Sequence, residues 1–135
     1  MLRSLNLEDF MLPHPVKVQA SANIMEAVDL ILHHKISGVC VVDDADNLVG
    51  MLSEMDCLGA ILGATYNESG LGPVEEYMTS KNLIVTSTNC DVIEVAQKMI
   101  ENKLRRLPVV DGNGEHLAGQ ITCRQLLLAV KNYNR

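Results

Sequence analysis

The chain has 135 residues, 47% apolar and 21% charged, with a formal net charge of −6. That length and balance fit one compact domain able to bury a sizeable core, while the acidic charge argues against a nucleic-acid partner, which would meet a basic face. No apolar run approaches the ~20 residues of a membrane span, and the first residues lack the apolar stretch of a signal peptide, so a cytoplasmic protein with no membrane partner is expected.

In chain order, the segment Met1 to Glu8 fits a helix or a strand packed across another repeat. Val16 to Val18 reads as a short strand. Ile24 to Leu32 reads as an amphipathic helix with Ile24, Ala27, Val28, Ile31 and Leu32 on one face, broken by Gly38. Val39 to Val42 is a continuous apolar strand, and Asp43 to Asn47 has turn composition. Leu48 to Leu52 is the next strand, and Ser53 starts a helix running to about Leu62. A Gly- and Pro-bearing stretch, Gly63 to Pro73, marks an exposed connection.

The same order then recurs. Leu83 to Thr86 is a strand, and Asp91 caps a helix carrying Val92, Val95, Ala96, Met99 and Ile100. Leu107 to Val110 is a strand, Asp111 to Gly114 a turn, and Leu117 to Ile121 a strand. Thr122 opens a last helix carrying Leu126, Leu127, Leu128 and Val130. Each unit is strand-helix-strand-strand-helix. A unit of this size alone buries only about 60% of its unfolded surface, and strands apolar on both faces ask for cover on both sides. The predicted fold is α/β, two repeats (about 9–62 and 75–131, joined by about 63–74) packed sheet to sheet with pseudo-twofold symmetry and two clefts.

Gly50-Met51-Leu52-Ser53-Glu54-Met55-Asp56 is the stretch that the repeat presents twice. Ser53 suits a helix N-cap, and first-turn amides with the helix dipole suit an anion such as phosphate. The Asp56 carboxylate, acceptor-only when ionised, suits a ribose diol. Ser-x-x-Asp also fits a capping box, in which the two side chains satisfy helix-start amides and bind nothing. Both readings stand on these residues.

Other chemistry finds little support. Cys40, Cys57, Cys90 and Cys123 form no Cys-x-x-Cys pair and read as buried thiols. His14, His33, His34 and His116 lack metal spacing, His33 and His34 fitting a solvated helix end. There is neither a P-loop nor a Gly-x-Ser-x-Gly elbow. No catalytic residue and no metal are expected.

The repeat order, the openings Asp9-Phe10-Met11 and Glu76-Tyr77-Met78-Thr79, the strand ends Val41-Val42-Asp43 and Val109-Val110-Asp111, and Gly50 followed by Ser53-x-x-Asp56 together resemble a tandem pair of cystathionine β-synthase (CBS) domains, a Bateman module, over Asp9 to Val130. The resemblance implies a non-catalytic regulatory role, such as energy sensing, with AMP, ADP, ATP or S-adenosylmethionine as effector, a homodimer of flat-disc shape, and a regulated protein that the sequence does not name. It places Asp56 on the ribose and Ser53, Arg105 and Arg106 on the phosphate. Leu83, Ile84, Val85 and the backbone at Leu104 come near the adenine. For Lys103, Arg105 and Arg106 the alternative is a helix C-terminus complementing its dipole. The second cleft, with Thr122 and Gln125 facing Ile36, Ser37 and Gly38, departs from the pattern: Gln125 stands where the ribose-binding Asp belongs, although Arg124 could reach a phosphate. The alternatives to a nucleotide module are a purely structural or protein-interaction module with empty clefts, or one that binds S-adenosylmethionine.

Overall fold

A computed structural model describes residues 5–111 and 115–133. Ten regular elements follow one another: β1 (Lys17–Gln19), α1 (Ile24–His34), β2 (Gly38–Val42), β3 (Leu48–Ser53), α2 (Glu54–Asn67), β4 (Thr86–Ser87), α3 (Val92–Asn102), β5 (Arg106–Asp111), β6 (His116–Thr122) and α4 (Cys123–Tyr133). Single 3-10 turns lie at Leu7–Asp9 and Val74–Glu76. The architecture is mixed α/β, with two three-stranded sheets ordered β1-β2-β3 and β4-β5-β6. In each, the first pair is parallel and the second antiparallel. Both antiparallel pairs carry an irregularity at the matching place, Val41/Val42 and Val109/Val110.

The chain packs as two units. One is Val16–Leu83; the other joins the segment ending at Pro15 to the chain from Ile84 on. Each unit thus borrows its opening segment from the other repeat. Leu12 exchanges two backbone hydrogen bonds with Gln120 on β6 (2.8 and 2.9 Å), and Leu7 is buried in the core of Val92, Val95, Met99, Leu107 and Ile121. In the first unit Thr79 makes the same pair of bonds with Met51 on β3 (both 2.9 Å), and Val74 joins the core of Ile24, Ile31, Val39 and Leu52. Glycine at Gly50 and Gly119 permits these approaches, since a Cβ there would lie 3.0 Å from the Thr79 carbonyl oxygen and 2.6 Å from that of Leu12.

The helices α1 and α3 are built alike. Asn23 and Asp91 cap them, each accepting a 2.9 Å bond from the amide two residues on. Both end in a left-handed lysine, Lys35 at φ 55° and Lys103 at φ 54°. The next residues, Ile36 and Leu104, bond back to Ile31 and Met99 (3.1 and 2.9 Å) and pack on the cores, as in a Schellman motif. Gly38, expected from sequence to break the helix, does not do so: Lys35 ends it and Gly38 opens β2. Leu32 and Ile100, expected on the buried faces, are 69% and 78% exposed. Each lies eight positions beyond the first core residue, Ile24 or Val92, and at 3.6 residues per turn has rotated about 80° away from it.

Two further expectations are corrected. α2 runs to Asn67 rather than Leu62, absorbing part of the predicted connection. Leu83 to Val85 are not strand; β4 is only Thr86–Ser87. In the first unit the amide of Cys40 donates to Val16 (3.4 Å), which lengthens the parallel ladder. Pro108 holds the equivalent place in β5 and has no N–H to donate. Instead the Lys98 ammonium donates to the Val85 carbonyl at 2.9 Å. Of the predicted turn Asp111 to Gly114, Asp111 ends β5 and residues 112–114 lie outside the described residues, as do residues 1–4.

Candidate functional site

The two strand-to-helix turns were the expected sites, and each is a complete capping box. At the first, the Ser53 hydroxyl accepts from the Asp56 amide (3.1 Å), and Asp56 Oδ2 accepts from the Ser53 amide (3.0 Å). Oδ1 of this half-buried carboxylate takes no part in the box. Asp56 borders a hollow of about 390 Å³ with Asn67, Ser69 and Tyr77, its floor made by the small residues Gly59, Ala60, Gly63 and Ala64. Neighbouring Cys57 is buried. Burial first, then the charges of Asp56 and Glu54, push its thiol above the ordinary range and keep it neutral.

At the second turn the Thr122 hydroxyl accepts from the Gln125 amide (3.1 Å). Gln125 Oε1 accepts twice, from the Thr122 amide (2.9 Å) and from its hydroxyl (3.2 Å). The acceptor oxygen that would correspond to Asp56 is thus fully occupied by the cap.

Strand register sets which residues of its own repeat meet each turn. Gly38 pairs with Ser53, and the Glu54 amide donates to the Ser37 carbonyl (2.9 Å). Arg106 pairs with Thr122, and the Cys123 amide donates to the Arg105 carbonyl (2.9 Å). The ladder joins each turn to the preceding strand of its own repeat, because β2-β3 and β5-β6 are antiparallel neighbours. Arg105, Arg106, Arg124 and Lys131 with Thr122, Leu127 and Leu128 line a hollow of about 910 Å³. Lys131 was missed from sequence. Its signal is helical spacing: seven residues beyond Arg124, it lies on the same face of α4.

Of the residues expected near adenine, Leu83 and Val85 are half-buried and Ile84 is 37% exposed; Leu104 packs on the core of its unit. His33 and His34 are exposed in the last turn of α1, edge to face at 4.9 Å. Among the described residues no group of His, Cys, Asp and Glu could hold a metal ion, and no helix is long and apolar enough to cross a membrane.

Two strand-helix-strand-strand-helix units, each presenting a capped strand-to-helix turn, define a tandem repeat module. The chain belongs to the CBS domain family: the family model matches residues 7–63 and 74–132. It is similar to an inosine-5'-monophosphate dehydrogenase of Aquifex aeolicus, 34% identical over 94% of this chain but only 25% of that protein. The chain thus spans about a quarter of the length of that relative. A crystal structure of CBSX2 in complex with AMP, a protein of Arabidopsis thaliana, superposes with a TM-score of 0.82 and 30% identity over 98% of this chain and 100% of that one. The CBS pair of MJ0100, in complex with 5'-methylthioadenosine and S-adenosyl-L-methionine, gives a TM-score of 0.75 and 26% identity over 96% and 98%.

Proposed function

We propose that the chain is a non-catalytic regulatory module whose effector is an adenosine-containing ligand, AMP, ADP or ATP in first place and S-adenosylmethionine as the second choice. The single observation that carries this reading is the Asp56 carboxylate: one oxygen closes the capping box and the other is left over at a helix N-terminus. An ionised acceptor with a spare oxygen beside a helix start is suited to a ribose diol. Arg105 and Arg106, with Arg124, supply phosphate contacts at the other turn. The relatives in complex with AMP and with S-adenosyl-L-methionine support the ligand class. Binding shifts the packing of repeats or protomers, and a regulated protein reads that shift. A homodimer belongs to the same reading.

Calorimetry on Asp56→Ala tests it. Loss of a hydrogen bond to a charged group removes ~1.5–3 kcal/mol, so adenosine ligands should bind the variant roughly 10- to 100-fold more weakly. Unchanged affinity, with only a lower melting temperature of the ligand-free protein, would leave Asp56 a capping residue and nothing more.

A further inference from the structure

We infer that the hollow of the second repeat recognises a condensed phosphate chain, whether free or carried by a nucleoside di- or triphosphate, and takes little of its affinity from the nucleoside. The inference rests on the phosphate role given above to Arg105 and Arg106 and goes further by naming what is recognised. Four cationic side chains, Arg105, Arg106, Arg124 and Lys131, border one hollow of about 910 Å³. Among the described residues no Asp or Glu lines it, although the chain as a whole carries a net charge of −6. None of the four side chains has an ion-pair partner among the described residues. Unpaired like charges repel, so gathering four of them costs stability unless an anion joins them. One of the cations precedes β5, one opens it and two lie seven residues apart on α4, an extended set that matches a chain of linked phosphates better than a single phosphate.

The nucleoside is treated differently. Gln125 Oε1 is consumed by two bonds from Thr122, so this turn keeps no acidic acceptor for a ribose diol. Its first-turn amides at Cys123 and Gln125 are also taken, by Arg105 and Thr122. What remains is positive charge: Arg105, Arg106 and Arg124 at the N-terminal end of α4, where the helix dipole adds to theirs, and Lys131 in its last turn. The same charge disfavours the sulfonium and ammonium groups of S-adenosylmethionine.

Calorimetry with the whole chain and inorganic tripolyphosphate, ATP, GTP and adenosine tests this, repeated on Arg124→Ala and Lys131→Ala, both exposed positions whose truncation spares the core. Tripolyphosphate should bind, compete with ATP, and weaken about tenfold or more in either variant, with ATP and GTP alike and adenosine unable to compete. Free tripolyphosphate binding more tightly than either nucleotide would assign the site to condensed phosphate itself; nucleotides binding more tightly than the free chain, and equally, would assign it to nucleoside triphosphates. If ATP binds and tripolyphosphate does not, the inference fails while the adenosine reading stands. Tripolyphosphate binding that ignores both variants also overturns it. Binding of tripolyphosphate, ATP and GTP alike, with adenosine unbound and no loss of ATP affinity in Asp56→Ala, would uphold the inference and remove the adenosine reading.

Discussion

At the residue scale, the structure shows how one side chain serves a fold while another works against it. Asp56 completes a cap with one oxygen and keeps a second. Thr86 is buried at 2% exposure, and its hydroxyl has no hydrogen-bond partner among the described residues. The register explains the contrast. Thr86 pairs with Val109 as Val18 pairs with Val41, so a hydroxyl occupies a place that is valine in the first repeat. An unsatisfied buried polar group costs ~1–3 kcal/mol. Thr86→Val keeps the shape and removes that cost, and should raise the melting temperature by roughly 3–10 °C; an unchanged or lower value would show that the hydroxyl is satisfied in solution. Asp43 illustrates the opposite case. Its carboxylate accepts from the amides of Asn47 (2.9 Å) and Ala45 (3.0 Å), chiefly the former, and these hold its pKa below the ordinary carboxylate range. A depressed folded-state pKa means that the stabilisation is present above the ordinary range and is lost as the pH falls through the lowered value.

At the scale of elements, the straps that cross β3 and β6 depend on glycine. A Cβ at Gly119 would sit 2.6 Å from a backbone oxygen of Leu12, which cannot move without breaking the Leu12–Gln120 bonds. At Gly50 the tightest contact, 2.5 Å, is to the Met78 sulfur, the end of a flexible side chain. Gly119→Ala should therefore cost ~1–3 kcal/mol, and Gly50→Ala clearly less. Equal melting temperatures for the two variants would contradict this. The elements also show what sequence could reveal. Period-3.6 spacing found α1 and α3, and continuous apolar runs found β2 and β5, because burial on one face or on both leaves a pattern. The capping pairs were visible as Ser-x-x-Asp and Thr-x-x-Gln. The short β4 was not, because its limit lies in a proline of β5, the next strand along the chain. Nor was the ladder pair Arg106–Thr122, since register is a long-range property that local propensity does not carry.

At the scale of the whole molecule, apolar surface is left over. On α2, Leu58 and Leu62 lie one turn apart, 62% and 55% exposed, and on α4 Leu127 and Leu128 are 71% and 55% exposed. Leu32, Leu58 and Ile61 border an apolar hollow of about 150 Å³. Surfaces of this kind mark association sites when they are contiguous. The chain should sediment as a dimer at micromolar concentration, and a Leu58→Glu, Leu62→Glu double variant as a monomer that keeps its helical signal; a monomeric parent chain would sink the dimer.

The central claim, that the chain is built to hold a phosphorylated adenosine ligand, meets its most direct test in thermal unfolding of the unmodified protein with and without ATP or AMP. A ligand that binds only the folded state, present at about 100 times its dissociation constant, adds ~2.7 kcal/mol, which for a chain of this length is a shift of roughly 5–15 °C. The account predicts such a shift, growing with ligand concentration. A transition that stays in place at millimolar concentrations of every adenosine ligand would contradict it.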